Sequence, residues 1–401
     1  MTWESKVGSG ARIRLILAIA LFWMGLYLYV PVLTPYVVHV TGSAGLAGLV
    51  VASYGVPQLL SRALLAAWSD RWGRRTPFLA AGLILVAASA AGMAAWPGTW
   101  GFFGFRVLSG LAASMWAMFS IQYTAYLGGG RHMARAMGHV SFANNAGQVV
   151  AVLAGGLLAE HGGYPAPFWA AAVVGVVGLL LVVGLPEGAH EPTRVPTVSW
   201  RRLLRQRDVL AASALGILFQ AGTFVTTFGY IPLWASREGL SAGGLGLLTA
   251  VALVPTAIMA IVTGSVLSRR WRVEHLIVAG FLMVAVGTGL TPWIGRGLGL
   301  YVTQGAAGVG RGVLSPSLMT WAVRGVHPSQ RTTALAWYQS LYAVGMVGGP
   351  ALAAAGAVSW GLAGLFWAAA ALALAGALTG SGLLWWGRRR WLTAGGCEAG
   401  L

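Results

Sequence analysis

The sequence predicts an all-α polytopic membrane protein whose twelve transmembrane helices form two pseudo-symmetric six-helix bundles. Three observations predict this fold: the composition, the length of the apolar runs and an internal repeat. Of the 401 residues, 57% are hydrophobic and only 9% are charged, whereas a soluble protein carries about 25% charged residues. The apolar runs are about 20 residues long, the length at which a helix crosses a bilayer, and the alternating pattern of a membrane barrel is absent.

The predicted spans follow one another along the whole chain with short polar connections. An even number of spans places both chain termini on the same side of the membrane. The twelve predicted spans cover residues 13–38, 44–67, 76–96, 100–126, 136–159, 167–185, 209–234, 242–267, 274–294, 298–322, 333–357 and 362–386.

The distribution of basic residues predicts the orientation of the chain in the membrane. Of the 26 lysines and arginines, 21 fall on one side of the predicted spans, 20 in the tails and loops and Arg14 at the start of the first span. The positive-inside rule makes that side cytoplasmic, so both termini are predicted to be cytoplasmic. This placement explains the net charge of +17 and leaves no reason to expect a nucleic-acid partner. The short loops are typical of a prokaryotic inner-membrane protein.

The two halves of the chain repeat each other. Shifting the sequence by 198 residues aligns glycines in several pairs of spans, and it aligns Arg71 and Arg74 with Arg269 and Arg272. Each half has an even number of spans, so the repeats are parallel and related by an axis along the membrane normal. The predicted domains are an N-terminal bundle at 1–186, a cytoplasmic linker at 187–207 and a C-terminal bundle at 208–401.

The stretch from Ala66 to Leu79 is the one place where an acid, three arginines and a glycine interrupt long apolar runs. Its Gly73 and Pro77 favour a tight turn that leads into a new helix. With the twelve spans and the two halves, this loop resembles the signature Gly-x-Leu-x-Asp-Arg-x-Gly-Arg-Arg of the major facilitator superfamily, with Ala66 and Trp68 in place of the first Gly and the Leu. The charged part of the signature is Asp70, Arg71, Gly73, Arg74 and Arg75.

That resemblance implies rocker-switch alternating access around a central site lined mainly by spans 1, 4, 7 and 10. It also implies that Asp70 latches the cytoplasmic side against the start of span 11, near Thr332 and Thr333. Two further motifs are similar to family elements. Arg106 with Gly110 matches the fourth-span motif of proton-coupled members. Gly345, Gly349 and Pro350 match the exporter element of span five, although here the full form lies in span 11.

Polar residues inside the spans are the candidate cavity residues. A buried arginine costs about 2.5–3.5 kcal/mol on insertion scales, so it should face a cavity or a partner. Hydrogen bonding between helices within a bundle is the alternative role for the others. The candidates for substrate binding are Tyr27, Gln58, Arg62, Arg106, Asn145, Gln148, Gln220, Thr227, Gln304 and Arg311.

The acidic residues are informative by their positions. Eight of the nine lie outside the predicted spans and Glu274 is the first residue of one, whereas an exporter of cationic drugs needs a carboxylate within the membrane to pair with its substrate. The cavity should therefore prefer neutral or anionic amphipathic compounds. With no membrane carboxylate, the candidate proton carriers are His39, His139 and Glu160.

The sequence predicts a secondary transporter that exports a small amphipathic drug or metabolite in exchange for protons, as a monomer in the lipid bilayer. The alternative within transport is uptake or facilitated diffusion of an organic anion or a sugar. A non-transporting receptor or sensor on the same fold is the alternative of another class. Lys6 is the only lysine and Cys397 the only cysteine, which excludes a phosphate-binding Gly-Lys loop and a cysteine metal cluster. We therefore expect no cofactor, no metal and no enzymatic activity.

Overall fold

The computed structural model describes residues 7–128, 132–188, 206–327 and 330–394, with side chains at all of these except 63, 66, 67, 70, 134, 332 and 383–394. This part of the chain consists of helices joined by short turns. A span made of consecutive helical pieces is counted below as one rod. In order, the spans are Ser9–Tyr27 with Val30–Thr41, Ala44–Ser53 with Gly55–Trp72, Thr76–Ala95, Thr99–Ser114 with Trp116–Tyr126, Met133–Gly162, Ala166–Val182, Arg207–Val225 with Thr226–Tyr230 and Ile231–Arg237, Ala242–Val262 with Thr263–Leu267 and Ser268–Arg270, Val273–Gly289 with Thr291–Ile294, Leu298–Ala322, Arg331–Ser359 and Gly361–Ala394.

The predicted all-α membrane fold is confirmed. Ten of these rods are long and apolar enough to cross a membrane. The other two are the shorter apolar helix Ala166–Val182 and the 25-residue helix Leu298–Ala322, which contains Gln304 and Arg311. Each of the twelve predicted spans corresponds to one rod.

Several spans are interrupted near the middle. Span 1 breaks before Val30, where Pro31 lies in the first turn of the second piece and removes one helical hydrogen bond. Span 7 contains a π-helical segment, Thr226–Tyr230, followed by Pro232 in the first turn of its last piece. Such interruptions change the direction in which the following side chains point.

The predicted turn after span 2 is confirmed. Gly73 has a φ of 66° and ends the helix in the left-handed conformation, which glycine adopts without steric cost. Pro77 then lies in the first turn of span 3. Arg71 and Arg74 are exposed. The predicted latch falls on the side chains of Asp70 and Thr332, which lie outside the described residues.

The contacts divide the chain into two compact units. Unit 1 comprises the described residues within Met1–Val195, Thr227–Ala250 and Met346–Ser359, and unit 2 those within Pro196–Thr226, Val251–Gly345 and Trp360–Leu401. Spans 7, 8 and 11 each contribute to both units. The domain limits proposed from the sequence stay a prediction.

The internal repeat appears as equivalent contacts within each unit. In unit 1, Gly110 packs against the carbonyl oxygen of Tyr54, and in unit 2 Gly308 packs in the same way against Ala252. Both pairs are related by the 198-residue shift. Two further pairs repeat the pattern: Gly147 on Ala20 with Gly345 on Ile217, and Gly178 on Leu83 with Gly376 on Phe281. The shared glycines therefore mark close approaches between helices, against backbone atoms at Gly110, Gly147 and their repeats and against a side chain at Gly178 and Gly376.

Replacing Gly345 by Ala is expected to lower the apparent melting temperature of the purified protein by several degrees. A Cβ at this position would overlap the carbonyl oxygen of Ile217, and backbone atoms cannot give way cheaply. Overpacking of this kind costs about 1–3 kcal/mol. Gly348→Ala is the matched control, because a Cβ there meets nothing within 4 Å. Equal melting temperatures for the two variants would contradict a close approach of spans 7 and 11.

Candidate functional site

Arg106 in span 4 is held by aromatic side chains. Its side chain is buried, with 3% of its surface exposed, and its Nη1 donates to the hydroxyl of Tyr29 over 3.1 Å. The guanidinium carbon lies 4.4 Å from the ring centroid of Tyr54, a distance at which a cation is attracted to the face of the ring. Arg106 thereby joins spans 1, 2 and 4 inside unit 1.

A polar stripe continues from Tyr54 along span 2, as its four-residue spacing predicts. The amide nitrogen of Gln58 donates to the Tyr54 carbonyl oxygen over 3.3 Å. The Gln58 amide oxygen accepts from Nη2 of Arg62 over 2.7 Å. The stripe is therefore linked by hydrogen bonds within the helix, with the buried Gln58 at its centre.

The candidates on span 5 bond within their own helix. Asn145 is exposed and donates to the carbonyl oxygen of Ser141 over 2.8 Å. Gln148 donates to the side-chain oxygen of Asn144. On span 1, Tyr27 is half-buried and contacts the ring of Phe228 edge-on at 5.8 Å. The roles of these residues in binding stay predictions.

Span 10 contains two buried polar side chains, Gln304 and Arg311, that have polar atoms without hydrogen-bond partners among the described residues. Gln304 is 1% exposed and Arg311 is 4% exposed. Both polar atoms of the Gln304 amide and Nη2 of Arg311 are buried and have no hydrogen-bond partner among the described residues. Thr227 in span 7 likewise has a buried hydroxyl without a partner there, and Gln220 is half-buried.

The end of unit 1 opposite the Gly73 turn is tied together by three hydrogen bonds between spans, which we call the far-end closure. The carboxylate of Glu160 accepts from the backbone N–H of Gly243 over 3.0 Å. Thr34 donates to the Gly229 carbonyl oxygen over 2.7 Å, and Tyr230 donates to the Ala44 carbonyl oxygen over 3.2 Å.

The far-end closure is reinforced by tight backbone packing within the same unit. Gly156 and Gly246 approach so closely that a Cβ on either would meet backbone atoms of the other span. Gly48 packs against Pro350 and the hydroxyl of Tyr230. Pro350, predicted as a gating residue, is thus buried in this closure, and Glu160 binds the first turn of span 8, where free N–H groups favour a negative charge.

The two candidate histidines occupy different exposed positions. His39 lies near the end of span 1, with its ring 5.5 Å from that of Tyr164. His139 is in the first part of span 5, and its Nδ1 lies 3.0 Å from the hydroxyl of Tyr123. Their predicted role as proton carriers stays a prediction.

Glu187, just after span 6, is a residue that the sequence reading missed. Its carboxylate accepts from the backbone N–H of Arg75 over 2.9 Å and of Thr76 over 3.1 Å, so it caps span 3 directly after the signature turn. The neighbouring Pro186 carbonyl oxygen accepts from Gln122 at the end of span 4. The only sequence signal is an acid in the short segment that leaves span 6.

An ion pair occupies the corresponding place in unit 2. Glu274, at the start of span 9, is aligned with Thr76 by the 198-residue shift, and its carboxylate accepts from Nη1 of Arg324 over 2.5 Å. Arg324 aligns with Tyr126, which donates to Pro186 in unit 1. Each unit thus links the start of one span to the end of the next. In unit 1 the link consists of hydrogen bonds to Glu187 and Pro186, and in unit 2 it is the ion pair between Glu274 and Arg324.

Comparison with known proteins gives consistent matches along the chain. A family model described as Major Facilitator Superfamily matches residues 15–245 and 236–391. The chain is 30% identical over 386 residues to the tetracycline resistance protein, class C, of Escherichia coli, covering 90% of this chain and 93% of that protein. It is 28% identical over 250 residues to the chloramphenicol resistance protein of Streptomyces lividans, covering 60% and 62%.

Solved structures share the fold at low sequence identity. The nucleoside transporter NupG has a TM-score of 0.75 with 14% identity, covering 93% of this chain and 99% of NupG. A D-xylose-proton symporter has a TM-score of 0.74 with 16% identity, covering 92% and 96%. The arrangement of spans is therefore shared with proteins of several substrate classes.

Proposed function

The chain belongs to the Major Facilitator Superfamily, and from that premise we propose that it exports a small neutral or anionic amphipathic compound in exchange for protons. It is a multi-pass membrane transporter whose relatives include resistance proteins for tetracycline and chloramphenicol. One observation carries the substrate preference: the described spans bury two guanidinium groups, Arg106 in unit 1 and Arg311 in unit 2, and neither has a carboxylate partner among the described residues. A buried guanidinium repels cations and attracts anions or neutral molecules with acceptor groups.

Export requires that the far-end closure opens. With the positive-inside orientation, the Gly73 turn is cytoplasmic and the far-end closure faces the outside. Opening then separates span 5 from span 8, and spans 1 and 2 from span 7, at the contacts of Glu160, Thr34 and Tyr230. The interruptions in spans 1 and 7 supply places where the outer pieces turn relative to the inner ones.

Proton exchange needs a group that changes its charge in the accessible pH range. Glu160, His39 and His139 are our candidates, because they are exposed side chains at span ends. Glu160 has the most direct connection to opening, since protonation of its carboxylate weakens its bond to the N–H of Gly243.

Proteoliposomes that contain the purified protein and an internal pH dye test this function. A panel of amphipathic acids, neutral compounds and amphipathic cations, with tetracycline and chloramphenicol included, is added under an imposed pH gradient. We expect at least one neutral or anionic compound to dissipate the gradient faster than in protein-free liposomes. Movement of a compound without any pH change would remove proton exchange and favour facilitated diffusion or uptake. A panel response restricted to cations would contradict the proposed substrate class.

A further inference from the structure

We propose that Arg311 and Gln304 form a two-point binding site for an elongated organic anion, and that Arg106 takes no part in holding that anion. The inference rests on the proposed function and narrows its substrate class. Arg311 takes the anionic oxygen group, a carboxylate or an enolate. Gln304 takes a hydroxyl or amide group at the other end of the same ligand.

Arg311 and Gln304 both have buried polar atoms that lack hydrogen-bond partners among the described residues. Burying a polar group without a hydrogen bond costs free energy, and burying a charge without a partner costs more. In native proteins, buried polar groups are therefore almost always paired. Within the described residues, Arg311 and Gln304 break this rule on one helix, since Nη2 of Arg311 and both amide atoms of Gln304 have no partner. A ligand with complementary groups pairs all of these atoms.

Arg106 provides a contrast. That guanidinium donates to Tyr29 and lies over the ring of Tyr54, so much of its charge is stabilised inside unit 1, although its Nε has no hydrogen-bond partner among the described residues. The residue aligned with Arg106 in the repeat is Gln304, and the residue aligned with Tyr54 is Ala252. The tyrosine face that stabilises Arg106 therefore has no counterpart in unit 2, where an alanine takes its place.

The distance between Gln304 and Arg311 along span 10 sets the length of the ligand. Gln304 and Arg311 are seven residues apart in one helix, hence on the same face and about 10 Å apart along the axis. A ligand that reaches both needs polar groups at opposite ends of a body about two fused rings long. The planar guanidinium binds two oxygens at once, and the Gln304 amide both donates and accepts. An inorganic anion is too short to reach both side chains.

Three probes of the same shape test the site on the purified full-length protein by calorimetric titration. They are 6-hydroxy-2-naphthoate, its carboxamide 6-hydroxy-2-naphthamide, and 2-naphthoate, which lacks the hydroxyl group. We expect the hydroxynaphthoate to bind the unmodified protein at least about tenfold more tightly than the carboxamide. Equal affinities for these two compounds would overturn the inference.

Variants then assign the two points of contact. Arg311→Gln should abolish the preference for carboxylate over carboxamide. Arg311→Lys keeps the positive charge and should keep part of the preference, which shows that a variant at this position still folds. Gln304→Leu should abolish the preference for the hydroxyl group. Arg269→Gln, at an exposed arginine of the same unit, is the control and should bind like the unmodified protein. Carboxylate preference that survives Arg311→Gln would contradict the assignment.

The same probes separate this inference from the proposed function. Carboxylate-selective binding that depends on Arg311, with no flux in proteoliposomes, would support the site and remove export. Proton-linked export of compounds whose binding is indifferent to Arg311→Gln would support export and remove the site.

Discussion

Arg106→Ala is expected to lower the apparent melting temperature and to abolish transport of charged and neutral compounds alike. The side chain joins spans 1, 2 and 4 through Tyr29 and Tyr54. Its removal leaves the buried Tyr29 hydroxyl without this bond and leaves a cavity beside the ring of Tyr54. A lost cation–π contact and an unpaired buried hydroxyl together cost about 1–3 kcal/mol. The loss follows from changed packing of three spans, so it does not depend on the substrate.

Two variants refine this result. Arg106→Lys keeps a cation near the ring of Tyr54 but loses the planar fork, so its stability should fall between those of the unmodified protein and of Arg106→Ala. Tyr29→Phe removes the hydroxyl acceptor and leaves Nη1 of Arg106 with only the 3.5 Å contact to Ser109, so it should also lower the melting temperature. Thermal unfolding in detergent and flux in proteoliposomes are measured on the same preparations. An unchanged melting temperature with loss of anion transport alone would instead place Arg106 in contact with the substrate.

Glu160→Ala is expected to open the far-end closure. The bond from Gly243 to this carboxylate is the one contact of the closure that uses a charged side chain, and it lies where spans 5 and 8 approach through Gly156 and Gly246. Its loss removes a favourable interaction between a negative charge and the start of a helix. The population of molecules open at this end should rise several-fold.

In the proposed orientation, thiol labelling from outside the cell measures this opening. Cys397 is the only cysteine, so Cys397→Ser gives a background without thiols. Ala354→Cys is the reporter, because Ala354 is 6% exposed and packs against Gly45 and Gly48 in the closure. A membrane-impermeant maleimide should label the reporter several-fold faster with Glu160→Ala, and to an intermediate degree with Glu160→Gln, whose amide oxygen still accepts a hydrogen bond.

His161→Ala is the matched control for the labelling experiment. His161 is the next residue in the chain, is exposed, and bonds within its own helix to Leu157. It should leave the labelling rate unchanged. Equal rates for Glu160→Ala and the unmodified background would show that the closure does not depend on this carboxylate.

The span pattern was predictable because it depends on local hydrophobicity and length. The turn at Gly73 and the repeated glycine contacts were also visible in the sequence, since each depends on one residue type at a fixed spacing. The partner of Arg106 was not predictable. Tyr27 and Tyr29 are two residues apart, about 200° around a helix, and span 1 is interrupted between them. Only the packed structure decides that Tyr29 meets Arg106 while Tyr27 meets Phe228.

Contacts that join distant parts of the chain escaped prediction for the same reason. Glu160 was singled out as a candidate proton carrier, but its bond to Gly243 joins residues 83 positions apart. Glu187 lies outside any helix, and its capping of span 3 joins residues 112 positions apart. No periodic pattern indicates such pairs, and the π-helical segment in span 7 likewise leaves no mark in the hydrophobic pattern.

The Glu187 contact has a practical consequence for dividing this protein into two separately expressed pieces. Hydropathy alone favours cutting directly after span 6, which would leave Pro186 and Glu187 on the C-terminal piece. The N-terminal piece would then lack the acceptors for Arg75, Thr76 and Gln122. A cut placed after Gly188 keeps these acceptors with the spans that they stabilise.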